Sequence, residues 1–431
     1  MRLETLLNAC HKFTGFVYAK ARWKVLKSGE RIIAVQIRPR KRSKARCVLC
    51  QKLAPGYDRL KPRKFWFIPL WGFRVMFVYV RRRVTCPEHG IQVEWLPWAE
   101  GKSPLVNAFK IYLAQWVKHL PIQTVAMLFH VTWQNVFAAV KYVVDYGLEH
   151  RCLDNICSIG VDEIHYRAGY KFLTLVYQID ASCRRLLYVG QDRTVKSLLR
   201  FFRRFGKERN RKLKAVSCDM WKPYLKVIAK KAVNAIIILD RFHIMKYFNE
   251  AIDTMRRQEA RQLAKDGHEE ILKHSRWCLL KNKKNQTTSQ LAKLKDLVKY
   301  NLKVVKCRLL REAFNKFWHY QSVTWAKKFL RQWMTRVMRS RLEPMKKVAR
   351  MLRAHEELIL NWFCVNPRLS NGVAEGFNNK AKLVIRKSYG FKQFQTIEIM
   401  FYHILGNLPL PPLTHRFLLR GKKPKKRRGK D

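Results

Sequence analysis

A handful of acids stand out in a chain that has few. Asp162 and Glu163 close a short apolar run (SIGVDEIH, residues 158–165), and Asp219 closes another (LKAVSCD, 213–219). Glu375 lies in a polar stretch, SNGVAEGFNNKAK, entering a helix. Two carboxylates at neighbouring strand ends resist joint ionisation unless divalent cations lie between them. Such a pair with a third acid is how a protein holds two Mg²⁺ (or Mn²⁺) for phosphoryl chemistry. On this reading Asp162 and Asp219 bridge the ions and Glu375 holds one. Asp240 also ends an apolar run and competes with Asp219; with His243 (LDRFH) it reads as an adjacent structural or substrate-positioning element. Glu163 is expected to point away from Asp162, because strand neighbours alternate faces. Glu375 and Asn379 are four apart and share a helical face, while Asn378, Lys382 and Lys387 are candidates to grip phosphates. Beyond residue 366 the other acids are Glu398, in an apolar run, and Asp431, at the end of the chain.

The cysteines offer a second chemistry. Cys47-Val-Leu-Cys50 is a CxxC and Cys86-Pro-Glu-His89 a CxxH, about 35 residues on. Together they give four ligands, the count that a closed structural zinc site prefers, with no position left for catalysis. Cys10, Cys152, Cys157, Cys183, Cys278, Cys307 and Cys364 are scattered and read as buried small hydrophobes in a reducing compartment; Cys218 reads as buried in its strand.

Elements must carry these residues. Two strand-like runs, 63–70 and 73–86, form a hairpin that brings the two cysteine pairs together. Arg81, Arg82, Arg83, Lys61, Arg63 and Lys64 give that module a phosphate-facing surface. The segment PIQTVAMLFHVTWQNVFAAVKYVVDYG reads as a helix-turn-helix, with Thr132 capping a second helix from Trp133 to about Tyr146. Val125, Ala126, Leu128, Val131 and Val136 fall on its inner faces, and Gln134, Asn135 and Lys141 face outward to read base edges. Strands at 158–165, 172–179 and 186–189 form a meander. A helix (194–205), a strand (213–218), a helix (224–230) and a strand (235–239) follow. That succession is the ribonuclease H-like order, in which the first and fourth strands are neighbours. The fold expected is multidomain α+β: an N-terminal segment (1–38), a zinc-binding module (39–100), a helix-turn-helix domain (101–150) and a ribonuclease H-like α/β core (156–253). An almost wholly helical, densely basic stretch (254–365) comes next, then a segment with the glutamate (366–408). A basic tail (409–431) ends the chain. In the helical stretch Trp318, Trp325 and Trp333 read as core residues.

The segments VDEIHYRAGYKFLTLVYQID, Asp219-Met-Trp, Asp240-Arg-Phe-His and SNGVAEGFNNKAK closely resemble the ISL-three (ISL3) family of bacterial insertion-sequence DDE transposases, over roughly residues 40–410. Carried over, the family's acidic triad falls on Asp162, Asp219 and Glu375, and the resemblance implies a ribonuclease H-like core interrupted by an all-helical insertion (254–365) and resuming at 366–408 with the glutamate. The resemblance also implies binding of the element's terminal inverted repeats by the N-terminal modules. His89 stands where many relatives have a cysteine, which zinc accepts equally.

Charge agrees with a DNA partner. The chain carries 89 Lys+Arg against 30 Asp+Glu, a net +59, while 48% of its residues are hydrophobic. A disordered basic tail protein is excluded, and a polyanion is required to relieve the self-repulsion. Double-stranded DNA, as repeat ends and target, is the partner expected. No apolar run suits a signal peptide or a bilayer span of roughly 18 residues. The expectation is therefore a DNA-cleaving and strand-joining enzyme, cytoplasmic and nucleoid-associated, oligomeric on DNA and free of membrane. The alternatives are a non-catalytic DNA-binding regulator derived from a transposase, or a structure-specific nuclease on the same core.

Overall fold

The computed structural model describes residues 2–167, 171–365 and 372–412; the tail beyond 412 and Ser370 and Asn371 of the glutamate motif lie outside them. The chain is mixed α/β and divides into two compact units, residues 1–152 with 383–431, and residues 153–382.

In the first unit a short helix, α1 (Leu3–Cys10), precedes a hairpin of β1 (Phe16–Val25) and β2 (Arg31–Pro39). Two-residue strands β3 (Ala45–Arg46) and β4 (Leu53–Ala54) frame the first cysteine pair. The long strands β5 (Gly56–Leu70) and β6 (Phe73–Cys86) follow, then β7 (Gly90–Val93). The sheet order is β1-β2-β6-β5, with β7 paired to β6. β2 runs parallel to β6, so residues 1–38 and the cysteine-bearing hairpin share one sheet. Aromatic and β-branched residues at alternate positions supply its core: Phe65, Phe67, Val75, Phe77 and Tyr79 are buried around Trp98. Three helices follow, α2 (Asn107–Val117), α3 (Ile122–Leu128) and α4 (Trp133–His150).

The second unit opens on the expected meander: β8 (Ser158–Arg167), β9 (Lys171–Gln178) and β10 (Arg185–Gln191). Next come α5 (Val195–Phe205), α6 (Lys207–Lys212), β11 (Ala215–Cys218), α7 (Lys222–Lys231) and β12 (Ile236–Leu239). The strand order is β10-β9-β8-β11-β12, with the first and fourth strands of the sheet paired in parallel. Leu198, Phe201, Phe202 and Phe205, at helical spacing on α5, bury one face of it with Tyr224 and Ile228 of α7. From Arg241 the chain is helical: α8 (Arg241–Lys265), α9 (Arg276–Leu280), α10 (Thr288–Lys299), α11 (Lys303–Asn315), α12 (Val323–Met338), α13 (Glu343–Ala354) and α14 (Glu356–Leu360). One apolar core runs from Met220 and Leu239 at the sheet into this bundle, through Ile244 and Phe248 to Phe314 and Trp333. Trp318 and Trp333 are buried as expected, but Trp325 is 59% exposed, on the outer face of α12. α15 (Gly372–Lys387) and α16 (Phe394–Leu405) complete the described chain. Among the described residues no helix is long and apolar enough to cross a membrane.

Candidate active site and metal-binding clusters

Three adjacent strands bring acids to one level. In the parallel ladders Ser217 of β11 stands opposite Gly160 of β8, and Cys218 opposite Leu239 of β12. Continuing that register places Asp219 across from Asp162 on one side and from Asp240 on the other. β8 itself runs past the acids to Arg167, longer than the sequence pattern suggested, because β9 continues to pair with it.

The carboxylates separate into two groups. Asp162 is 8% exposed. Its Oδ1 accepts the Glu163 N–H at 2.8 Å, and its Oδ2 accepts Asn378 Nδ2 at 2.6 Å. Asn378, buried on α15, accepts in turn the hydroxyl of Tyr177 at 2.8 Å. His243 Nε2 stands 3.8 Å from Asp162 Oδ1 and 3.8 Å from Asp240 Oδ2. Asp240 also caps α8, accepting the Phe242 N–H at 2.8 Å. One ligand atom from each of Asp162, Asp240 and His243 lies within 4.8 Å of the others, so these three could hold a cation.

The second group is Glu163, Asp219 and Arg193. Arg193 meets Asp219 Oδ2 at 2.5 Å and Glu163 Oε1 at 3.2 Å, with its guanidinium over the Trp221 ring. Asp219 Oδ1 accepts the Trp221 N–H at 2.9 Å. Glu163 shares Arg193 with Asp219 instead of joining the partners of Asp162, and its side chain is buried rather than solvated.

Burial sets the electrostatics. It pushes the Asp162 carboxyl up to about 6, with His243 and the Glu163 N–H opposing and Asp240 and Asp219 adding to the rise. It pushes Glu163 up to about 8, reinforced by Asp219 and opposed by Arg193. Among the described residues one guanidinium and one imidazole stand within 4.0 Å of these four acids.

Glu375 is exposed in the first turn of α15 and lines a cavity of about 550 Å³ together with Asp240. Asn379 and Lys382 are exposed on the same helix. Lys387 donates to the His119 carbonyl at 2.6 Å. The asparagine that reaches the acids is therefore Asn378, three residues after Glu375.

In the first unit Cys47, Cys50, Cys86 and His89 converge, their ligand atoms all within 4.8 Å of one another. Cys50 Sγ is 3.6 Å from Cys86 Sγ, and Cys86 Sγ is 3.5 Å from His89 Nδ1. Against the upward push of burial, the N–H groups of Cys50 and Leu49 and the neighbouring sulfurs lower the Cys47 thiol. Gln51 and Gly90, both at positive φ, turn the chain after each pair. Some of the basic residues expected to face phosphate are committed within the module. Arg82 pairs with buried Glu94, Arg83 with Asp58, and Arg63 donates to the carbonyls of Gly101 and Ser103.

Thr132 Oγ1 accepts the Asn135 N–H at 3.2 Å, capping α4 as expected. Val125, Ala126 and Val136 are buried between the helices, but Leu128 is 56% exposed, since it falls on the outward side of the last turn of α3. Gln134 is exposed, Asn135 is half-buried, and Lys141 is held by Asp145 one turn on. The scattered cysteines divide: Cys218, Cys278 and Cys307 are buried, whereas Cys10, Cys152 and Cys364 are exposed, lying at helix ends and loops beyond the packed faces.

Residues 159–401 match the family model for ISL3-type DDE transposases, described as Transposase. The chain is 26% identical over 368 residues to the transposase for insertion sequence element IS1001 of Bordetella parapertussis, covering 84% of this chain and 89% of the relative. It is 28% identical over 412 residues to the transposase for insertion sequence element IS1557 of Mycobacterium tuberculosis, covering 90% and 91%.

Proposed function

The chain belongs to the ISL3 family of transposases, and on that premise we propose that it binds the terminal inverted repeats of an insertion sequence and catalyses metal-dependent cleavage and strand transfer of their ends. The observation that carries this reading is the level placement of Asp162, Asp219 and Asp240 on adjacent strands, the first and last buried and Asp219 half-buried, in a chain of net +59.

The catalytic set proposed is Asp162, Asp219 and Glu375, in a ribonuclease H-like core interrupted by the helical insertion. Asp162 and Asp240 with His243 also satisfy the donor chemistry of a divalent cation, carboxylate oxygens with one imidazole. Mg²⁺ or Mn²⁺ held by these acids would supply Lewis-acid stabilisation of the phosphoryl oxygens. Asn378 fixes one oxygen of Asp162 and leaves the other turned toward His243. Arg193 neutralises Asp219 and Glu163 in the metal-free chain and orients Asp219 against the Trp221 N–H. The helix carrying Glu375 is tied to β8 and β9 through the contacts of Asn378, which supports reading Glu375 as the third acid.

Cys47, Cys50, Cys86 and His89 fit a structural zinc. A tetrahedral ion with Zn–S near 2.3 Å separates its ligand atoms by roughly 3.5–3.8 Å, the range of the Cys50–Cys86 and Cys86–His89 distances. This module and the helix-turn-helix of α3 and α4 are the proposed readers of double-stranded repeat DNA, through Gln134, Asn135 and Lys141, with Asn379 and Lys382 nearer the catalytic acids. A homo-oligomer assembled on two DNA ends is the working form expected.

The test is cleavage of a duplex bearing the element's inverted repeat, with Mg²⁺ or Mn²⁺, by the full chain and by its Asp162→Asn, Asp219→Asn, Asp240→Asn and Glu375→Gln variants. Loss of cutting by at least a thousandfold in the Asp162, Asp219 and Glu375 variants, with binding retained, is expected. Cutting that survives Asp219→Asn but not Asp240→Asn would move the second catalytic role to Asp240. Tight end binding without any nicking by the parent chain would leave a DNA-binding regulator.

A further inference from the structure

The buried face of α11 carries two arginines among Val304, Val305, Cys307 and Phe314. They are satisfied differently. Arg308 donates to the carbonyls of Cys278, Leu279 and Lys281 and pairs with Glu312 at 2.7 Å. Arg311 is 2% exposed. Its Nη1 donates to Leu280 O at 2.6 Å and Asn249 Oδ1 at 2.8 Å, while Nε and Nη2 have no partner among the described residues. Nor does any carboxylate lie within ion-pair distance of it among those residues. Burial draws its pKa down to about 10, which still leaves it a cation at every physiological pH. A desolvated cation with two unmet donors is costly unless an anion completes it.

Arg311 lines the cavity of about 550 Å³ that also contains Asp240 and Glu375. Arg241, whose guanidinium lies over Trp318, and three amides, Asn249, Asn282 and Asn315, line it too. The volume is that of a ligand site, roughly 300–1,000 Å³. It holds Glu375, the proposed third catalytic acid, and Asp240 together with two guanidinium groups, an arrangement suited to a phosphodiester whose reacting group is held by cations on the acids. A guanidinium fork matches phosphate oxygens.

We propose that Arg311, supported by Arg241 and the three asparagines, forms a subsite in the helical insertion for a backbone phosphate of element-end DNA, adjoining the scissile bond. The inference rests on the transposase reading for its ligand and gives the insertion a task, holding the strand against the acids. The competing role is structural, with Arg311 merely tying down the carboxyl end of α9 through Leu280.

Binding of inverted-repeat duplex by the full chain in Ca²⁺, with phosphates randomly ethylated, separates the two. Arg311→Gln is expected to bind at least tenfold more weakly. Its log K against log salt should be shallower by about 0.9, the loss of one phosphate contact. One phosphate whose ethylation weakens the parent should cease to matter. Asn282→Asp, at an exposed position lining the cavity, should reproduce this pattern by repulsion even if Arg311→Gln fails to fold. Unchanged slope and interference pattern in Asn282→Asp, or in a folded Arg311→Gln, would overturn the subsite. A second readout needs no DNA: millimolar inorganic phosphate should raise the melting temperature of the parent more than that of either variant. That difference without end binding would remove the transposase reading and keep an anion site. End binding without the difference, and with unchanged interference, would do the reverse.

Discussion

Replacing Asp162 by asparagine should make the metal-free protein more stable, and the size of the gain follows from burial. A rise from 3.8 to about 6, at 1.36 kcal/mol per unit, means that the ionised carboxylate costs the folded state about 3 kcal/mol at pH 7.5. The sign is that of a raised carboxylate. Well below pH 3.8 both folded and unfolded forms are protonated and the cost vanishes. Between about 4 and 6 the folded state binds the extra proton, so stability falls as pH rises, reaching about half the full cost near pH 5. Asparagine keeps the shape, and the hydrogen bonds can reverse. The introduced amide would donate to Asn378 Oδ1, Asn378 Nδ2 would donate to the Tyr177 oxygen, and the Glu163 N–H would keep its acceptor. Urea unfolding in EDTA at pH 4, 5 and 7.5 measures the difference. The variant should come within about 1 kcal/mol of the parent at pH 4 and exceed it by about 3 kcal/mol at pH 7.5. Mn²⁺ should then raise the parent's midpoint and leave the variant's unmoved. A variant less stable than the parent by the same amount at all three pH values would refute the claim that the site holds its carboxylate against a desolvation cost.

Two further outcomes are expected. Protein purified without chelator should contain one zinc per chain, and Cys47→Ser or Cys86→Ser should lose it together with the cooperative unfolding of the β5–β6 hairpin; full stability in metal-free protein would contradict a structural ion there. Arg193→Gln should destabilise the second unit by about 1–3 kcal/mol at pH 9 and by less at pH 6, because Glu163, held at about 8 with Arg193 beside it, must then stay protonated or ionise beside Asp219 with no cation between them; a loss equal at both pH values would show that Arg193 acts on Asp219 and on packing but not on Glu163.

The elements were legible wherever one face is buried and the period is clear. The meander, the extent of α5 and the Thr132 cap are local features. So is the neighbour relation of β8 and β11, since the connection rules of α/β units leave few alternatives. Partners distant in sequence were not legible. Asn378 meets Asp162 across 216 residues, and a four-residue spacing from Glu375 favoured Asn379 instead, although three residues also share a helical face. Arg193 sits in the link between β10 and α5, where nothing local distinguishes it from the other basic residues of the chain. Arg311 reads as one more solvated cation until the packing of α11 shows which face it occupies. Leu128 and Trp325 erred in the other direction: apolar periodicity predicts a buried stripe, but its edge residues stay in water when no neighbour covers them.

Why a chain of net +59 leaves a carboxylate cluster under-neutralised has a physical answer in where its cations stand. Lys52, Lys141, Lys273, Lys299 and Lys346 pair with acids in exposed positions or within a turn of the same helix, and such pairs contribute little to stability. At the strand ends, among the described residues, only Arg193 and His243 come within 4.0 Å of the acids. A more complete set of arginines there would stabilise the empty protein and would compete with divalent cations for the same oxygens. On the proposed reading the two excesses are complementary: the acids await cations and the basic surface awaits a polyanion. A metal drawn to the acids also favours the phosphate that follows it, so each ligand should bind more tightly in the presence of the other. That coupling has to be reciprocal. DNA ends should sharpen Mn²⁺ affinity by the same factor as Mn²⁺ sharpens theirs, and Asp162→Asn should abolish the coupling while leaving the salt-sensitive part of DNA binding in place.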